Sequence, residues 1–225
     1  MKNIALFALF LAAPLTLAQI GDTSSKVAGP VYDGQQLTVD LPPQEQIRNI
    51  GSKKDGAGMC VFSSIEMAAL AQGLEQMRGW RNWCAENYTG GGWPARVDQL
   101  LEAWWKHKGI DPIPYYQYEG RDPEAVLSLI DRTGRMACIT YGWSPRYGQQ
   151  IAHMTCCPSF RGKFGVCLDN NFVAKKVGDK WVEEYEWMDR AELCRRTKIG
   201  SGSAWIFCWL TPPPPPPARS PPKES

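Results

Sequence analysis

The sequence predicts an α+β fold with an antiparallel sheet. Helical spacing of apolar residues dominates from residue 60 to residue 130. After that the period shortens, and strand-like runs separated by glycine-rich turns continue to residue 210. Helices first and strands later favour α+β over an alternating α/β order. About 190 residues lie between an apolar leader and a proline tail, enough for one domain with its own core.

The elements follow in order. Residues 19–50 are polar and turn-rich, with Pro30, Pro42 and Pro43, and read as an extended arm with one strand near Gln36 to Leu41. From Cys60 or Val61 to about Met77 the pattern is helical: Val61, Ile65, Ala68, Ala69 and Leu74 share a face, and Gly79 ends it. Residues 80–93 read as a loop with a glycosylation sequon at Asn87 and a Gly90-Gly91-Gly92 breaker. Pro94 suits the first turn of a second helix, whose stripe is Val97, Leu100, Leu101, Trp104 and Trp105, and Gly109 closes it. Tyr115 to Tyr118 is a short strand. Asp122-Pro123-Glu124 opens a third helix with Val126, Leu127 and Ile130 inward. Residues 135–141, 151–157, 163–169 and 181–187 are strand-like, 189–196 is a short helix, and 203–210 is a last strand.

The two ends differ in kind from the domain, residues 51–210. Lys2, the apolar run Ile4 to Leu11, and Thr16-Leu17-Ala18 have the layout of a secretory signal covering residues 1–18. An uncleaved N-terminal anchor is the alternative. The expected location is therefore secreted, periplasmic or cell-surface, without stable membrane insertion once the signal is removed. Residues 211–225, beginning Thr-Pro-Pro-Pro, form a proline-rich tail suited to an extended or disordered spacer, with a partner that the sequence does not name.

Composition narrows the function. The net charge is +2 and basic residues are scattered, which argues against a nucleic-acid surface. Eight cysteines in an exported chain suggest four disulfides. There is no CxxC spacing, and His153 with Cys156 and Cys157 lacks a further ligand group, so no metal and no cofactor are expected. Ten tryptophans are many for this length; Trp80, Trp83 and Trp93, with Tyr88, either fill the core or line a pocket.

The chemistry-bearing residues are few. Cys60 stands where "DGAGM" runs into a helix. There a thiolate meets unpaired N–H groups and the positive end of the helix dipole. His153, one of two histidines, lies in a strand from which an imidazole can reach another element. A cysteine nucleophile needs such a base, and a third group to orient it. "FGVCLDNNF" supplies Asp169 and Asn170, which point to opposite faces of a strand, so only one of the two can serve.

These stretches together resemble the papain superfamily of cysteine peptidases, and within it the small bacterial peptidases related to bacteriocin-leader-processing domains. "GAGMCVFSSIEMAAL" is similar to the family's cysteine-led helix. "TGGGWPARVDQLLEAWWKHKGI" is similar to its glycine turn and following helix. "RDPEAVLSLIDRTGRMACITYG" resembles its helix, turn and strand, and "AHMTCCPSFRGKFGVCLDNNF" its histidine hairpin. The likeness spans residues 50–172 and is one of order and spacing.

The resemblance implies a papain-like fold, N-terminal helices packed on a C-terminal antiparallel sheet. It implies Cys60 as nucleophile, His153 as general base and then acid, and Asp169 as orienter, with Asn170 in that role if the hairpin is one residue longer. It implies amide acyl transfer on a peptide or protein substrate, by hydrolysis or by transfer to an amine. Lys54 stands where the family places an oxyanion-hole glutamine, six residues before the nucleophile. That departure keeps a second expectation open: a catalytically inactive papain-like module for binding or surface assembly.

Overall fold

The computed structural model describes residues 27–32, 35–39, 46–49, 58–173, 175–178, 180–182, 185–200 and 202–211. The expected signal segment, Lys54 and nearly all of the proline tail lie outside the described residues. Among the described residues no helix is long and apolar enough to cross a membrane.

Among the described residues the first element is a hairpin of β1 (Val27–Tyr32) and β2 (Gln35–Val39), where one strand is expected in the arm. Helices α1 (Cys60–Ala71), α2 (Trp80–Asn87) and α3 (Pro94–Lys108) follow. Then come β3 (Tyr115–Gly120), α4 (Pro123–Arg132), β4 (Ala137–Ser144), β5 (Gln149–Arg161) and β6 (Phe164–Leu168). A small hairpin of β7 (Lys175–Val177) and β8 (Lys180–Val182), then β9 (Glu186–Asp189), α5 (Arg190–Arg196) and β10 (Ala204–Trp209), complete it. One six-stranded sheet runs β3-β10-β4-β5-β6-β9 with every neighbour antiparallel. The α+β class expected from the change of period is the class observed.

Alternation along each strand divides the core in two. Phe207 and Trp209 of β10, Cys138 of β4, Met154 and Cys156 of β5, and Val166 and Leu168 of β6 face α1 and α3. Their neighbours Ile206, Cys208, Ile139, Cys157 and Cys167 face Leu127 and Ile130 of α4 and Leu193 of α5. Helix α1 is buried from Val61 to Leu70. Its polar members therefore need partners. Ser64 Oγ donates to Met154 O at 3.0 Å. Glu66, whose pKa burial raises against two backbone hydrogen bonds, accepts the N–H groups of Gly79 and Arg81 at 2.6 Å each.

That carboxylate explains one departure from the sequence reading. Residues 80–87 form α2 where a loop was expected. Only Trp80 and Cys84, four apart, are buried on this helix, which is too sparse a stripe to read. Glu66 caps its first turn from another helix, a contact invisible to local pattern. Helix α1 also ends at Ala71, before the expected Met77. Gly73 takes a left-handed φ of 76°, and a 3₁₀ turn (Glu75–Met77) follows.

All eight cysteines are free thiols, so the four expected disulfides are not formed. Seven of them sit in the core as small apolar side chains. Cys138 and Cys156, directly opposite on β4 and β5, both donate to the carbonyl of Ser64 rather than bonding to each other.

Two bulges shape β5. Residues 157 and 158 oppose Cys167 alone, which leaves Pro158 at a position that needs no ladder hydrogen bond. Nearer the start, Ile151 and Ala152 oppose Gly142 alone, immediately beside the Tyr141–His153 pair. Bulges re-aim the side chains next to them. A Cβ at Gly142 would lie 2.2 Å from the carbonyl oxygen of Lys198, which is backbone and cannot swing away. Gly142→Ala is expected to destabilise the domain by about 1–3 kcal/mol, read as a fall in the urea midpoint at unchanged m-value.

Candidate active site

Cys60 is the first residue of α1 and is half-buried. No side chain of the N-cap residue, Met59, caps the helix. Instead Asn49 reaches in from the N-terminal arm, and its Oδ1 accepts the Met59 N–H at 2.7 Å. The thiol is thus held at a helix start with first-turn N–H groups facing it. Burial pushes its pKa up, but a hydrogen bond and the charge of His153, with the N–H groups of Met154 and Val61, bring it below the ordinary thiol value. In the described core the trend is the opposite. Burial lifts Cys194 to about 11 and Cys208 to about 12, and drives Cys84, Cys138, Cys157 and Cys167 higher still.

His153 is buried, on β5 beside the bulge. Its Nε2 lies 2.8 Å from Asp169 Oδ1. Burial disfavours the imidazolium, yet the bonds to Asp169 and to Cys60 outweigh it and raise the pKa to about 9. Asp169 follows β6 and is fully buried. Burial raises its pKa, and His153, the Asn171 N–H at 2.9 Å and the Tyr147 hydroxyl at 2.8 Å bring it below the usual carboxylate range. Cys60, His153 and Asp169 therefore form one connected chain, in which the imidazole lowers the pKa of the group on either side of it.

Asn170 is in a different place. It turns to the α1 side, fully buried, and its Nδ2 lies within 3.0 Å of Cys60 O, Ser64 Oγ and Met154 O. It joins helix to sheet and does not orient His153. The structure thus separates two neighbours that the sequence left as alternatives, by the opposite faces that strand geometry gives them.

Two residues of the site were not singled out from sequence. Tyr147, in the β4–β5 turn, donates to Asp169 and sets its ring edge-on to His153 at 5.8 Å. Burial and the carboxylate beside it push its pKa up, so it stays a donor. Asn49 binds the Met59 N–H, donates through its own backbone to Asn170 O at 2.8 Å, and gives Nδ2 to Asn171 Oδ1 at 3.0 Å. A tyrosine in a polar turn and an asparagine in a polar arm carry no local signal of such a role.

A cleft of about 650 Å³ opens beside the thiol. Its lining includes Gly91, Gly92, Trp93, Ile199, Ala204 and Trp205. A Cβ at Gly92 would fall 2.6 Å from Val61 Cγ1, so only glycine lets this turn lie against the start of α1. Of the aromatic residues weighed as pocket or core, Trp80 is core, edge-on to Phe62 at 5.4 Å, and Trp83 packs on Tyr88 and Trp104. Trp93 is exposed at the cleft. Among the described residues no group of His, Cys, Asp and Glu side chains is arranged to hold a metal ion. Comparison with protein-family models, with curated proteins and with solved structures finds no match to the chain.

Proposed function

We propose that this protein is a papain-like thiol hydrolase that cleaves amide bonds in peptides through Cys60, His153 and Asp169. The observation that carries the reading is the Cys60–His153–Asp169 chain at a helix N-terminus beside an open cleft. In this reading the Cys60 thiolate attacks the amide carbon, forming a C–S bond and an oxyanion. The C–N bond breaks as His153 gives its proton to the departing amine. His153 then takes a proton from water, whose oxygen attacks the thioester and releases the acid, and the thiolate–imidazolium pair is restored. The Cys60 backbone N–H, at the helix start beside the cleft, serves as an oxyanion donor in this scheme. An export signal over residues 1–18 would place the enzyme outside the cytoplasm.

The pH dependence tests it. Cys60 is ionised below the ordinary thiol range, and His153 keeps its proton up to about 9. Turnover of peptidyl coumarin amides should follow a bell, falling on the acid side as Cys60 regains its proton. The alkaline limb should lie near 9, where the leaving amine loses its proton donor. Iodoacetamide at pH 6 should label Cys60 roughly tenfold or more faster than free cysteine. The buried thiols should stay unlabelled until the chain unfolds. Labelling at the rate of free cysteine, with no turnover of any amide, would remove the reading.

A further inference from the structure

The cleft has a chemical asymmetry. Its lining is apolar or neutral apart from the Cys60–His153 pair at one end and Glu119. Glu119 lies directly opposite Trp205 in the β3–β10 ladder, so the two side chains share a face. Gln117, two residues earlier on that face, accepts the Trp205 indole N–H at 2.8 Å and so fixes the ring beside the carboxylate. Among the described residues Glu119 carries no ion pair. An unpaired carboxylate next to a fixed indole, in a cleft walled by Trp93, Ile199 and Ala204, suits a side chain with a long apolar stem and a cationic head.

We infer that Glu119 makes this cleft selective for peptides carrying lysine or arginine close to the cleaved bond on its acyl side. The inference rests on the thiol-hydrolase reading for the bond that is cut, but the recognition stands on the cleft alone. The aliphatic stem packs between Trp93 and Trp205, and the ammonium or guanidinium donates to the Glu119 carboxylate. Because Glu119 is exposed, solvent screens the pair, and the preference it supplies is modest, roughly fivefold over a neutral side chain of equal length.

The test uses matched peptides containing lysine or norleucine, which share a stem and differ in the charge. In the first arm, acetyl peptide amides are titrated against the full chain carrying Cys60→Ala, read by tryptophan fluorescence. The lysine peptide should bind roughly fivefold tighter, and Glu119→Gln in the same background should bring the ratio to about one. Glu119→Lys should reverse it in favour of a glutamate peptide. In the second arm, kcat/KM for the matching coumarin amides on the Cys60 protein should show the same ratio. The ratio is the readout because partial unfolding lowers both peptides together. Equal binding of lysine and norleucine peptides, or a ratio unchanged by Glu119→Gln, overturns the inference even if hydrolysis is seen. Selective binding without hydrolysis supports it and counts against the proposed enzyme.

Discussion

Cys60→Ala is expected to lower kcat/KM on peptide amides by roughly 10⁴-fold or more, since it removes the sulfur that forms the acyl intermediate in the proposed scheme. Cys60→Ser should be almost as inactive. A serine hydroxyl is a far weaker acid than this thiol, whose pKa His153 holds below the ordinary value, so the more easily ionised partner disappears with the sulfur. Neither change opens a cavity in the core, because Cys60 is half-buried at the helix start. The melting temperature should therefore move by only a few degrees. Cys84→Ala makes the contrast. That thiol is wholly buried on α2 away from the cleft. Its loss should reduce stability and leave kcat/KM within about twofold of the parent. If Cys60→Ala retained turnover, the nucleophile would lie elsewhere.

The second large effect separates the two residues after β6. Asp169→Asn preserves shape but removes the negative charge that sits 2.8 Å from His153. The rate should fall roughly 10²- to 10⁴-fold. The imidazolium loses its strongest support, so the alkaline limb of the pH profile should move below its position near 9. Asn170→Ala should act on stability instead. It removes the amide that three oxygens of α1 and β5 share, so each of them loses a hydrogen bond in the core. A loss of about 2–4 kcal/mol is expected, near 10 °C in melting temperature for a domain of this size. Circular dichroism melts and turnover measured on the same samples decide the matter. An Asn170→Ala protein that melts normally yet fails to turn over would exchange the two roles.

How much of this was legible in the sequence depends on where each signal resides. Helix α3 was, because proline at its first turn, a regular apolar stripe and a closing glycine are all local. So were the α1 start, the strand around His153 and the strand before Asp169, since each is a strongly patterned element. The roles of Asp169 and Asn170 stayed open for a physical reason: strand parity separates the two side chains but does not say which face holds the histidine. The bulge at Gly142 depends on a backbone contact from Lys198, more than fifty residues away. Helix α2 owes its cap to Glu66, and the hydrogen-bonded mesh around Asp169 owes its outer members to a turn and an arm. The disulfide expectation failed because an even count carries no geometry: seven thiols lie as free, small apolar side chains in the layers on either side of the sheet.

The shared amide of Asn170 has a mechanical consequence. One side chain ties the carbonyl of Cys60 to the strand that carries His153, so parting the wall bearing the sulfur from the wall bearing the imidazole would break these buried hydrogen bonds. Widening the mouth in that direction is therefore costly. Any accommodation of larger guests falls to the rims, the glycine turn at residues 90–92 and the segment around Ile199 and Gly200.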